Sequence, residues 1–304
     1  MNRFSDNGRG MLLMIGNTAA FTFSDACVKA IGSDLPLSQI LVLRGIVASL
    51  FIAFLALRLG ALRHRPSGAD ALLMLLRGVA ECGSAYFFLT ALRNMPLANA
   101  TALLQMVPLT VTLGSAVFFG EPVGWRRWLA IAGGFFGMLL IVRPGTEGFT
   151  AFSVYALLAV GAVTLRDLAT RRVSPSLPSM QVTLSSAVLV MLFAAGWSLG
   201  EDWQPLDARL SLLMLGTSLL IIAGYTLSVM VMRVGEVGFI APFRYTGLLW
   251  ALLLGLVIWG ELPHPMTLLG AAVIVGMGSF TLWRERQLRR AGGLQLAGAK
   301  TRRT

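Results

Sequence analysis

Residues 91–121, ALRNMPLANATALLQMVPLTVTLGSAVFFGE, recur without a gap as residues 231–261, VMRVGEVGFIAPFRYTGLLWALLLGLVIWGE, at an offset of 231 − 91 = 140. Arg93 aligns with Arg233, Gly120 with Gly260 and Glu121 with Glu261, and Leu72-Leu73-Met74-Leu75 returns as Leu212-Leu213-Met214-Leu215. Nearer the start of each half, Asp25, Lys29, Pro36 and Gln39 match Asp167, Arg171, Pro178 and Gln181 at 167 − 25 = 142. Both copies are strongly apolar, in a chain that is 56% hydrophobic and 13% charged with a mean hydropathy of +0.75. That excludes a soluble fold. Two like halves in one bilayer point to a transporter, because repeat-built carriers place their substrate at the interface between repeats.

A helix needs about 20 mainly apolar residues to cross the hydrocarbon. Ten stretches qualify: 11–31, 36–57, 70–92, 97–119, 125–143, 151–169, 179–199, 209–232, 237–259 and 265–283. The expected fold is an all-α integral membrane protein of ten transmembrane helices. It divides into a short N-terminus (1–10), a first five-helix repeat (11–143), a second (151–283) and a basic tail (284–304). The first apolar run lacks a convincing small-residue cleavage site, so it reads as an uncleaved helix. Lysine and arginine placement sets the orientation. With the N-terminus inside, Arg3, Arg9, Arg58, Arg63, Arg65, Arg126, Arg127, Arg171, Arg172, Arg233 and the basic tail fall on the cytoplasmic side of the cell's inner membrane. Chiefly Arg93, Arg143 and Arg209 remain outside. Both termini are then cytoplasmic, and an odd number of helices per repeat inverts the second against the first. The net charge of +11 lies in short loops and the tail. There it serves the lipid bilayer's anionic headgroups and argues against nucleic acid.

Ionisable side chains at membrane depth are costly and mark function by default. Asp25 with Lys29, Arg77 with Glu81 and Asp167 with Arg171 are each spaced i, i+4, which puts each pair on one helix face. They are expected to neutralise each other near helix ends or, in the sharper reading, to act as gating or coupling residues on opposite sides. Arg44, Arg166 and Arg244 lack an obvious local partner. Arg244 is the most telling, because it follows Ala241-Pro242-Phe243 and precedes Tyr245, where proline removes a backbone donor and loosens the helix. An arginine there can bind a carboxylate or phosphate by paired hydrogen bonds and stack a planar group; the plainer alternative satisfies it with carbonyls of a neighbouring helix.

The candidate substrate-binding residues are Arg244, Tyr245, Arg44, Tyr86, Gln105, Asn17 and Trp250. The softer polar groups among them, with Thr18, Thr90, Asn99, Thr101 and Tyr225, serve equally well as helix-packing hydrogen bonds. Trp125, Trp128, Trp197, Trp203 and Trp283 lie near span ends as interface anchors. Arg93 and the two Gly-Glu ends read as scaffold. Departures from the repeat, such as Leu104 opposite Arg244 and Arg77 opposite Thr217, are where substrate chemistry belongs. Cys27 and Cys82 sit in apolar stretches and pack. His64 and His264 fall in loops, and no metal-ligand spacing or nucleophile–base pair occupies membrane depth, so no catalytic residue, cofactor or metal site is expected. The other classes left open are a channel or scaffold and, as the remotest, an intramembrane enzyme. The run Gly133-Gly134-Phe135-Phe136-Gly137, with Gly270, Gly276 and Gly278, permits close helix packing and, as a weaker signal, a homodimer.

Ten helices in two halves, each with a Gly-Glu dipeptide closing its fourth helix, resemble the drug/metabolite transporter superfamily in its EamA branch, over residues 11–283. Within that branch the chain is similar to the S-adenosylmethionine uptake transporter group. The residues carrying this likeness are Asp25 with Lys29, Arg44, Leu76-Arg77-Gly78, Trp125-Arg126-Arg127-Trp128 leading to Gly134-Phe135-Phe136-Gly137, Arg143-Pro144, Asp167 and Ala241-Pro242-Phe243-Arg244-Tyr245. The resemblance implies a secondary transporter whose small-molecule substrate is S-adenosylmethionine or a similar zwitterionic or anionic metabolite. Its relatives also imply riboflavin uptake, metallophore export and amino-acid efflux as alternatives. Glu81 departs from the group's pattern and alters the charge near Arg77.

Overall fold

Where each repeat breaks and stops its helices decides which side chains reach the middle of the membrane. The computed structural model of the chain describes residues 3–121, 123–145, 149–231, 234 and 237–301. Arg233 and the end of the basic tail lie outside them, as do the side chains of Arg3 and of most of that tail. Among the described residues, ten helical spans are long and apolar enough to cross a bilayer. The helices are α1 (Arg3–Ile31), α2 (Leu37–Arg58), α3 (Gly68–Asn94), α4 (Leu97–Leu104), α5 (Val107–Phe119), α6 (Trp125–Val142), α7 (Ala151–Arg172), α8 (Ser179–Ser198), α9 (Ala208–Val231), α10 (Val237–Ile240), α11 (Thr246–Trp259) and α12 (Pro265–Thr301). Following the chain across ten spans, α1, α3, α6, α8 and α11 end at one face of the bundle, here the Glu261 face. The even spans end at the other, the Glu121 face.

The fourth and ninth spans are broken at equivalent depths. Pro108 has no N–H, and its ring crowds the carbonyl of the residue four before it, Leu104, where α4 stops. In the second repeat Pro242 does the same work inside a 3₁₀ turn, Ala241–Tyr245, that precedes α11. Both spans then close alike. Gly120 (φ 65°, ψ 21°) and Gly260 (φ 65°, ψ 20°) take the left-handed conformation open to glycine. The following Glu121 and Glu261 N–H groups donate back to Ser115 O at 3.3 Å and Gly255 O at 2.9 Å. Each repeat therefore delivers a carboxylate to its own face with the same local geometry.

The repeats interlock. Helix α1 packs on α9 and its counterpart α7 on α3, while three equivalent pairs, α2 with α8, α6 with α12 and α4 with α11, meet each other directly. Those pairs run antiparallel. Gly45 abuts Met191 while Gln181 donates to His64 O, so numbering falls along α8 as it rises along α2. Gly133 abuts Met277 and Gly137 abuts Gly270, reversing α12 against α6 in the same way. Equivalent helices pointing in opposite directions establish the inverted 5+5 architecture expected from the odd helix count. The glycines of α6 that read as a dimer signal are used inside the chain, because a Cβ at Gly137 would lie 2.8 Å from Gly270 O.

The two faces are stapled differently. At the Glu261 face Gln39 and the Gln204 backbone exchange bonds of 2.9 and 3.0 Å, Arg209 pairs with Asp34 at 2.8 Å, and Arg93 donates to Leu35 O at 3.0 Å. Ile31, Leu35, Ile40, Leu92 and Leu97 are buried beneath them. At the Glu121 face Asp70 accepts from the Ser174 N–H at 2.9 Å and its hydroxyl at 3.0 Å, over a small cluster of Met74, Leu177 and Val182.

Candidate substrate-binding site

The break in the ninth span places Arg244 as the fourth residue of the apolar stretch Ala241–Trp259, toward its Glu121-face end, and its side chain lines a cavity of about 300 Å³. The other walls come from Val107, Pro108, Val111 and Thr112 of α5, Asp167, Thr170 and Arg171 of α7, and Thr281 and Leu282 of α12. The cavity thus runs from the paired helix breaks to the last turn of α7 at the Glu121 face. Arg244 forms no ion pair within 4.0 Å with a described residue. A charge within a membrane span is costly, and a guanidinium there with no carboxylate partner among the described residues can take one from a ligand. The hydroxyls of Thr112, Thr170 and Thr281 in the wall are contacts the sequence reading did not single out. None of the lining residues is aromatic.

Deeper in the bundle, Arg44 is only 8% exposed, and its Nε and Nη1 have no hydrogen-bond partner among the described residues. Its Nη2 lies 3.4 Å from Ser24 Oγ, which already shares a 2.8 Å bond with Thr217. Asp25, beside Ser24, is in electrostatic contact with Arg44.

The spacing-based pairs are corrected on two counts. Lys29 does not turn to Asp25; it pairs with Glu261 at 2.7 Å and donates to Met95 O at 2.6 Å. Asp167 pairs with the adjacent Arg166 at 2.9 Å rather than with Arg171, which donates to Ser115 Oγ at 2.9 Å and lies 4.0 Å from Glu121. Lys29 and Arg171 thus turn to partners from other segments of the chain, while Asp167 turns to its own neighbour on α7. Arg77 and Glu81 do approach, at 3.9 Å. Arg77 is also held by Thr170 at 3.0 Å and by Ser186, while Glu81 engages Arg166 at 3.3 Å. Arg166 therefore has two carboxylate partners, against the expectation of none.

The remaining candidates divide between packing and the centre. Asn17 donates to Gly224 O at 2.7 Å, a bond that fastens α1 to α9. Tyr86 belongs to an aromatic cluster with Phe87, Tyr155 and Trp197, toward the Glu261 face and away from the cavity. Trp250 packs against Phe23, and its buried indole N–H has no partner among the described residues. Gln105 is buried at the break after α4, close to Gly247. Tyr245 is buried against Gly278, and its hydroxyl has no partner among the described residues. Of the seven substrate candidates, Arg244 alone lines the cavity.

Comparison with known proteins follows the same lines. Residues 8–143 match the EamA-like transporter family. The pseudopaline exporter of Pseudomonas aeruginosa is 28% identical over 88% of this chain and 93% of its own length. A riboflavin transporter of Vibrio cholerae is 29% identical over 64% of this chain and 66% of its length. An S-adenosylmethionine uptake transporter of Rickettsia felis is 25% identical over 63% and 65%. One crystal structure of a protein superposes with a TM-score of 0.60 at 21% identity, covering 92% of this chain and 99% of that one, a likeness of fold.

Proposed function

We propose that the chain, which matches the EamA-like transporter family over residues 8–143 and resembles transporters of small metabolites, is a secondary transporter moving an anionic or zwitterionic metabolite across the cell's inner membrane by alternating access, with both termini cytoplasmic. The observation that carries this reading is Arg244, a cation with no ion-pair partner among the described residues, in a cavity that runs from the helix breaks to the Glu121 face. A guanidinium binds a carboxylate through two parallel hydrogen bonds, which fixes orientation as well as charge. Asp167 in the same wall supplies the opposite sign for an ammonium or sulfonium group. Arg44, with two guanidinium nitrogens unpaired among the described residues and Asp25 in electrostatic contact, offers the next carboxylate station inward.

S-adenosylmethionine, with its carboxylate, ammonium and sulfonium, matches that arrangement of charges. Riboflavin would have to bind without a stacking ring among the lining residues. Metallophore export is the second reading, favoured by the long match to the pseudopaline exporter. Purified protein in proteoliposomes, offered labelled S-adenosylmethionine, riboflavin and pseudopaline in turn, should take up one of the charged compounds saturably, with competition by unlabelled compound. Uptake of riboflavin alone would remove the Arg244-centred reading, and saturable uptake of none would remove the three substrates together.

A further inference from the structure

We propose that Lys29 with Glu261 and Arg171 with Glu121 are reciprocal latches, one on each face, whose alternate closure exposes the central site to the two sides in turn. The proposal rests on the alternating-access reading and supplies its moving parts. The two ion pairs are equivalents under the repeat: 171 − 29 = 142 and 261 − 121 = 140. Both cations stand in the last turn of the first helix of their repeat, and both carboxylates follow the left-handed glycine that closes α5 or α11.

The structure holds one latch shut and the other loose. Lys29 and Glu261 meet at 2.7 Å with side chains 9% and 22% exposed. Lys29 also donates to Met95 O, Glu261 accepts the Leu97 N–H at 3.0 Å, and the Lys29 ammonium lies 5.2 Å from the centre of the Trp259 ring. One ion pair thereby ties the end of α1, the turn before α4 and the end of α11, crossing from one repeat to the other. Its counterpart is opened. Arg171 and Glu121 are 4.0 Å apart and 44% and 53% exposed, with Arg171 turned to Ser115. Phe119, the repeat equivalent of Trp259 at 259 − 119 = 140, is covered instead by Arg172, 3.9 Å from the ring centre.

The space behind each latch agrees with its state. Behind Arg171 lies the cavity, lined in part by Pro108, Val111, Thr170, Thr281 and Leu282. Behind Lys29 the repeat counterparts of those five, Leu248, Ala251, Val28, Ile141 and Val142, are buried, and the cavity that Ile141 and Val142 help to line beside Met95 is smaller, about 90 Å³. In an inverted pair, exchanging the conformations of the two repeats exchanges the two faces. The tight pair then loosens as the loose pair tightens. Because Arg171 lines the cavity as well, the cargo's anionic group and Glu121 compete for the same cation.

The test needs no identified substrate. In full-length protein lacking Cys27 and Cys82, a reporter cysteine at Thr112 and, separately, at its counterpart Leu252 is labelled by a membrane-impermeant maleimide from each side of oriented vesicles. Glu261→Gln should lower labelling at 112 from the Glu121 face and raise labelling at 252 from the other face, each by about five-fold, the size of a modest population shift. Glu121→Gln should shift neither reporter that way. The exchange Lys29→Glu with Glu261→Lys should restore the parent pattern, which a misfolded protein cannot do. Unchanged labelling in Glu261→Gln, the same shift in both single variants, or failure of the exchange to restore the pattern would overturn the latches. Failure of transport with the labelling switch intact would count against the functional reading alone.

Discussion

Arg244→Gln is expected to lower transport of the carried metabolite about 100-fold, the equivalent of ~3 kcal/mol for one charge-assisted bidentate contact. The size of the effect follows from what Arg244 lacks. It has no ion pair with a described residue to lose, so removal should leave the melting behaviour of the purified protein near that of the parent. The loss should fall on binding and translocation. Arg244→Lys keeps the charge but replaces the planar fork by a point donor, and should recover only part of the rate. Proteoliposome uptake at saturating and subsaturating substrate measures both variants. Parent-like uptake by Arg244→Gln would move the anion site elsewhere, with Arg44 the next candidate.

The second large effect is structural. A Cβ added at Gly270 runs into the backbone carbonyl of Gly137, and Ile141 Cγ1 and Leu140 Cβ stand 2.9 and 3.0 Å away. Backbone cannot yield as a side chain can, so Gly270→Ala must separate α6 from α12. Overpacking of this kind costs about 1–3 kcal/mol, and here the upper end applies. At Gly133 a Cβ would meet the Met277 methyl at 3.0 Å, the end of a flexible chain, so Gly133→Ala should cost well under about 1 kcal/mol. Thermal unfolding in detergent compares the two. Equal midpoints would mean that α6 and α12 do not approach as described.

The lessons of the sequence lie in which signals were local. Apolar run length found the ten spans, and the odd helix count in each repeat found the inversion, because both depend on the chain's own periodicity and charge. The partner of Lys29 was not accessible to the same reasoning. The i, i+4 rule sees one helix at a time, and Glu261 lies 232 residues away, at 261 − 29. A signal was nevertheless present: Lys29, Arg171, Glu121 and Glu261 are among the charges that the repeat preserves in sign at matching positions. Read as scaffold because they sit at helix ends, the Gly-Glu dipeptides place the carboxylates that meet those cations. The break after Leu104 had a signal too, in Pro108. Tyr86 and Asn17 are polar groups whose roles only packing could decide, and packing gave them to an aromatic cluster and to a helix contact.

A carrier and a pore differ in whether cargo on one side drives movement from the other. Proteoliposomes preloaded with unlabelled metabolite and diluted into a trace of labelled metabolite put that difference on one measurement. Alternating access predicts transient accumulation of label above its equilibrium level, with the Lys29→Cys, Glu261→Cys pair losing it when cross-linked and regaining it on reduction. Entry of label at one unsaturable rate, whether the vesicles are loaded or empty, would contradict the account.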